Sequence, residues 1–156
     1  MCDGIRVVAA ILSKGERVFV CKRPLEKRMG GMWEFPGGKL EADETPEAAL
    51  IRECNEELSI TICPGKLFHH WRGIVDGVPI AVSFYEAYIT DGNIILSEHS
   101  EGIYVSPQQL SSYHLCPADA EVAQRLNVHA VRCASAQETT ARMNPSSDFQ
   151  PGGANR

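Results

Sequence analysis

The sequence predicts one α+β domain, a mixed β-sheet packed between helices, on three observations. Apolar runs of strand length recur between Ile5 and Val105, separated by turns rich in Gly, Pro and Asp. Two segments open with a Pro and continue with helical residues. The chain has 156 residues, which suits a single domain, since domains mostly run to ~100–150 residues.

Residues 5–12 read as a buried strand of Val, Ile and Ala, and residues 13–16 as a Gly-containing turn. Residues 17–23 return as a second strand. Residues 24–32 form an exposed basic loop, and residues 33–40 a short strand broken by Pro36-Gly37-Gly38. Thr45 can cap the next helix, and Pro46 suits its first position because the missing N–H has no partner there. That helix is predicted to run to Leu58. Strands follow at residues 65–74, 78–89 and 103–105, then a second helix at 117–128. Residues 134–156 are rich in Ser, Thr, Asn, Gln and Gly and have few large apolar side chains. Burial there cannot offset chain entropy, so the expectation is a domain over 1–133 and a disordered tail over 134–156.

Composition excludes some classes of function. The net charge is −5 and the pI about 5.5, which argues against a broad grip on polymeric nucleic acid. A small phosphate ligand stays open. No run approaches the ~18 apolar residues of a membrane helix, and the first residues do not read as a signal peptide. The cysteines at 2, 21, 54, 63, 116 and 133 form no Cys-x-x-Cys pair. Reduced thiols, a cytoplasmic location, no membrane partner and a monomer are the expectations.

The chemistry concentrates between residues 37 and 60. Spacings of three and four put Glu53, Glu56 and Glu57 on one helical face, and Leu50, Cys54 and Leu58 on another. A solvated acidic face is the plain reading of three such glutamates. Arg52 inside the cluster, and the Pro-Gly-Gly-Lys loop before the helix, weigh against that reading and keep open a second one, a hard divalent cation, Mg²⁺ or Mn²⁺, held by oxygen ligands.

The pattern Gly38-x5-Glu44-x7-Arg52-Glu53-Cys54-Asn55-Glu56-Glu57-Leu58-Ser59-Ile60 resembles the Nudix box. Two positions depart: Cys54 replaces a larger apolar residue, and Ser59 replaces the usual Gly. Ser59 is strained if that position needs positive φ. Outside the box, residues 34–39, 98–107 and 115–119 resemble MutT-type members, and the likeness extends over about residues 4–130.

That resemblance implies an α/β/α sandwich and an enzyme: a Mg²⁺-dependent pyrophosphohydrolase, with Mn²⁺ able to substitute, that splits nucleoside triphosphates to a monophosphate and pyrophosphate. It favours 8-oxo-dGTP, with CTP or a modified pyrimidine triphosphate as the runner-up. A nucleotide-binding module without catalysis is the non-enzyme alternative. The implied metal ligands are the Gly37 carbonyl, Glu56, Glu57 and Glu98, with Glu53 either a further ligand or the general base. Arg52 and Glu44 orient the acids. Arg23, Arg28, Glu34, Phe35, Pro36, Gly37, Gly38, Lys39 and Asp119 form the implied substrate site. Asp119 reads the base edge: ionised it accepts only, whereas the N7–H and O6 edge of 8-oxoguanine requires it protonated. His69 and His70 are read as structural, and Trp33 and Trp71 as core or pocket wall.

Overall fold

The computed structural model describes residues 4–142, with side chains over 4–133. Its centre is β1 (Ile5–Lys14), which runs parallel to β6 (Val78–Asp91) and antiparallel to both β2 (Arg17–Lys22) and β4 (Gly37–Lys39). β3 (Trp33–Glu34) and β7 (Glu101–Val105) flank β2, and β5 (Thr61–Val75) forms a long antiparallel hairpin with β6. The sheet is therefore mixed, as the sequence predicts.

Alternation along β1 divides the core. Val8, Ala10 and Leu12 pack with Ala49, Leu50, Cys54 and Leu58 of α1 (Pro46–Leu58). Ala9 and Ile11 face the other way, toward Ala118, Val122 and Ala123 of α2 (Pro117–Arg142). A strand with both faces covered must be apolar at every position, which is why residues 8–12 carry no polar side chain. Leu50 and Leu58 are fully buried, and each such side chain contributes about 1.5–3 kcal/mol.

Thr45 caps α1 through its hydroxyl, which accepts a hydrogen bond from the Ala48 N–H, and Pro46 follows at the first position. At the other end Ser59 is the C-cap residue, in the left-handed region at φ 57°, and its N–H donates to the Asn55 carbonyl. The departure from Gly in the box thus falls on a position that does require positive φ.

Most strand ends shift by one or two residues from expectation, and two boundaries shift further. β5 starts at Thr61 rather than residue 65, with bulges around Pro64 and Leu67. β5 is an edge strand, where Pro removes no needed ladder bond. The second helix does not end at 128 but runs to Arg142, so residues 134–142 are helical where a disordered tail was expected. No Gly or Pro interrupts it after Pro117. Ala134, Ala136, Gln137, Glu138, Ala141 and Arg142 are good helix formers, and extending an existing helix needs no new nucleation. Residues 143–156 of the expected tail lie outside the described residues. No helix among the described residues is long and apolar enough to cross a membrane.

Ser59→Gly should relieve the left-handed strain and stabilise the fold by about 0.5–1 kcal/mol. In thermal melts this is a rise of roughly 2–4 °C. An unchanged or lower Tm would show that the serine pays no conformational penalty there.

Candidate active site

Arg52 organises the acidic face of α1. Its Nε and Nη2 donate to the two carboxylate oxygens of Glu44 at 2.8 and 3.0 Å, a two-pronged contact. Its Nη1 donates to Glu53 at 2.8 Å and reaches Glu56 at 3.5 Å, and Nη2 also meets the Lys39 carbonyl at 3.1 Å. Every nitrogen of the guanidinium is thus engaged within the protein. Arg52 and Glu44 stand where orienting groups were expected, and these contacts leave Arg52 no free nitrogen to offer a ligand.

Gly38 explains the glycine of the loop. A Cβ there would sit 2.2 Å from the Glu53 carboxyl carbon. The Glu53 carboxyl group lies directly over the Gly38 backbone while Arg52 grips it from the side. A Cβ on Gly37 would meet the Val8 carbonyl of β1 at 2.0 Å, so that glycine lets β4 lie against β1.

The acidic face does not look wholly to solvent. The Glu53 side chain is only 14 % exposed, against 60 % for Glu56. Glu57 lines a cavity of about 470 Å³ with Gly37, Gly38, Lys39, Glu98, His99, Arg23, Lys27 and Arg28. Its Oε2 is buried and has no hydrogen-bond partner. Burial, then the charges of Glu53, Glu34 and Glu98, raise its pKa to about 8, and a backbone hydrogen bond from Gly37 offsets this only in part. Burial is also the main cause of a raised pKa at Glu53.

An orphaned, buried carboxylate oxygen beside further acids is what a hard divalent cation satisfies. Among the described residues no three His, Cys, Asp or Glu side chains yet converge on one point. The contacts account for this: Arg52 draws Glu53 and Glu56 to one side, and Lys27 holds Glu98 at 3.0 Å on the other. The donor set fits the cation, with Glu57 as its most exacting member.

A second cavity of about 130 Å³ adjoins the first, sharing Val7, Arg23, Met29, Glu34, Gly37 and Ile80. Phe35, Trp71, Val75, Val82 and Cys116 give it apolar walls, and Asp119 is its buried polar group. Asp119 Oδ1 accepts the Phe35 N–H at 2.8 Å. Burial, then the charge of Glu34, pushes the Asp119 pKa well above the usual carboxylate range. At the junction, Arg23 Nη1 donates to both oxygens of Glu34 at 3.0 and 2.9 Å, and His99 Nε2 meets Glu34 Oε1 at 3.0 Å. Two larger open clefts, about 670 and 850 Å³, bring no group of carboxylates together.

Most of the expected site residues therefore meet in one place. Arg23, Arg28, Glu34, Gly37, Gly38, Lys39, Glu57 and Glu98 line the larger cavity, and Phe35 and Asp119 the smaller. Pro36 does not face either; it is buried, and its carbonyl accepts the Ala10 N–H. His69 pairs with Glu121 at 2.9 Å and His70 with Ser83, both structural contacts as expected. Sequence reasoning placed His99 and Cys116 in the resembling segments 98–107 and 115–119 without giving either a role, and it did not single out Met29, Val75 and Val82. The last three look like ordinary apolar residues until the fold brings them together.

The family model for the NUDIX domain matches residues 4–126. The chain is 35% identical over 115 residues to a CTP pyrophosphohydrolase of Escherichia coli, covering 74% of this chain and 85% of that protein. It is 30% identical over 119 residues to an 8-oxo-dGTP diphosphatase of the same organism, covering 76% and 92%. A solved MutT structure, from work on Aliivibrio salmonicida and Vibrio cholerae, superposes with a TM-score of 0.64 at 35% identity, covering 80% of this chain and 98% of that one.

The Glu57 carboxyl gives a pH test in chelator. Its pKa rises from 4.5 to about 8 in the folded chain, so between those values the folded state holds a proton that the unfolded state has released. Stability of the metal-free protein should fall as pH rises through that window. Glu57→Gln should flatten that part of the curve in denaturant titrations. Wild-type and variant curves that stay parallel from pH 5 to 8 would contradict the burial of this acid.

Proposed function

The chain belongs to the NUDIX domain family and hydrolyses diphosphate bonds of nucleoside triphosphates with a divalent cation; from that premise we propose that it converts 8-oxo-dGTP to 8-oxo-dGMP and pyrophosphate, using Mg²⁺ or, in its place, Mn²⁺. The observation that carries the choice of base is Asp119. Its carboxyl is buried at the floor of the apolar cavity, with Oδ1 already accepting the Phe35 N–H and its pKa raised. Burial favours the protonated acid, which offers a donor and an acceptor together. The edge of 8-oxoguanine presents their complement, O6 and N7–H. The reading of Asp119 as acceptor-only is thereby disfavoured.

The larger cavity takes the triphosphate. Arg23, Lys27, Arg28 and Lys39 line it and supply positive charge to phosphate oxygens. Glu56, Glu57, Glu98 and the Gly37 carbonyl are the proposed ligands of the cation. When bound, the cation neutralises phosphate charge and makes water more acidic. Glu53 is the proposed proton acceptor, since burial raises its pKa while Glu98 is exposed and paired with Lys27. A water oxygen bonds to the β-phosphorus, the bond from that phosphorus to the α–β bridging oxygen breaks, and a water proton passes to the Glu53 carboxylate. The nucleoside monophosphate leaves with the bridging oxygen. Arg52 holds Glu53, and Glu44 holds Arg52. The proposed setting is a cytoplasmic monomer acting on free nucleotides rather than on polymeric nucleic acid or membrane.

CTP is the second reading, favoured by the similarity to a CTP pyrophosphohydrolase. A panel of NTPs, dNTPs and oxidised dNTPs, scored by pyrophosphate release, separates the two. The expected result is the highest kcat/KM for 8-oxo-dGTP, with no release in excess chelator. Preference for CTP would replace the main reading, and turnover in chelator would overturn the metal assignment.

Asp119→Asn keeps an oxygen for the Phe35 N–H and turns an amide donor toward the base, as the protonated acid would. It should therefore leave the selectivity for 8-oxo-dGTP over CTP within about twofold of wild type, whereas a rise of about 5-fold or more, on ~1–3 kcal/mol per mismatched group, would mean that Asp119 is an acceptor only. An equal fall in kcat/KM on both substrates would mean that Asp119 serves only to fix Phe35.

A further inference from the structure

Arg23 stands between the two cavities, and its guanidinium is partly spent inside the protein. Nε donates to the Arg28 carbonyl at 2.7 Å, and Nη1 donates to Glu34 Oε1 and Oε2 at 3.0 and 2.9 Å. Among the described residues Nη2 has no partner, so its two N–H groups are what Arg23 can offer a phosphate. The contact with Glu34 is not the two-nitrogen fork that locks an arginine to a carboxylate. A single nitrogen straddles both oxygens, so this contact alone does not set the angle of the Glu34 carboxylate about Nη1. Something else must fix the carboxylate.

His99 does so. Its side chain is 4 % exposed, and Nε2 meets Glu34 Oε1 at 3.0 Å. Arg23 already donates to both Glu34 oxygens, and with the ring hydrogen on Nε2 His99 adds a further donor to the same carboxyl group. The other nitrogen, Nδ1, is buried without a partner. A residue kept for packing alone would not leave a polar atom stranded, since that costs stability. The loop that bears His99 is pinned independently: the Ser97 N–H donates to the Glu57 carbonyl at 3.1 Å, and the Ser100 N–H to the Lys22 carbonyl at 3.1 Å. His99 is therefore not needed to keep the loop on the sheet.

We propose that His99 is a positioning residue for substrate binding: by holding Glu34 it fixes the Arg23 guanidinium so that Nη2 faces the phosphates. This rests on Arg23 being a substrate contact, as in the function proposed above. A group that acts on ground-state binding changes KM more than kcat.

The test uses the full-length protein with Mg²⁺ and the triphosphate it turns over best. Arg23→Gln should raise KM strongly. His99→Leu should raise KM roughly tenfold, the scale of one hydrogen bond to a charged group, with kcat within about threefold. His99→Gln, whose amide nitrogen can donate to Glu34, should stay within about twofold of wild type in KM. In a Glu34→Met background, which offers His99 no oxygen, His99→Leu should change KM no further. If Arg23→Gln raises KM and His99→Leu does not, the positioning role fails while the substrate role of Arg23 stands. If Arg23→Gln leaves KM unchanged, the substrate role fails and the positioning role with it. Equal losses in His99→Leu and His99→Gln with a lowered Tm, or an undiminished effect of His99→Leu in the Glu34→Met background, would make His99 merely structural.

Discussion

Carboxylates crowded on a partly buried helix face repel one another, and the arrangement of this site follows from how that repulsion is met. Arg52 answers most of it, binding Glu44 at two points and gripping Glu53, with Glu56 and the Lys39 carbonyl in reach. One guanidinium cannot satisfy every acid. Glu57 is left with a buried, unpartnered oxygen, and its raised pKa is the physical trace of that deficit. The acidic face is thus held together by protein cations, and in the function proposed above an external one completes it.

The rest of the fold serves to bring ligand groups to this charge. β1 is buried on both faces and carries α1 on one side and α2 on the other. β4 can lie against it only because Gly37 has no Cβ, and this seats the loop beside Glu57. Asp119 enters at the first turn of α2 and binds the Phe35 backbone just before that loop. The two cavities therefore share a single short segment, residues 34–39, through which base recognition and phosphate chemistry would be coupled in the function proposed above.

How far the sequence could be read depended on whether the signal was local. The acidic face of α1, its apolar stripe and its Thr45-Pro46 start are all set by spacing within one helix, and they stand as expected. The α+β architecture was legible from strand and helix signals in order. The burial of Glu57 was not, because it depends on the loop from β4 and the segment before β7 closing over the helix. The apolar cavity was legible only in part: Trp71 was read as core or pocket wall, but its meeting with Val75, Val82 and Cys116 comes about only through the β5–β6 pairing and the entry to α2. His99 lies in the resembling segment 98–107, but its pairing with Glu34 had no local signal, since the two are 65 residues apart. The helical state of residues 134–142 was misread because a polar composition was weighed and the absence of helix breakers was not.

The account rests on Glu57 being an acid that a divalent cation must deprotonate and occupy. Calorimetric titration of the full chain with Mg²⁺ or Mn²⁺ at pH 7, in two buffers of different ionisation enthalpy, counts the protons released on binding. With a Glu57 pKa of about 8 in the free protein, the result should be ~1 proton released per cation bound. Binding with no proton release would show that Glu57 is already ionised in the free protein, and the central claim would fail.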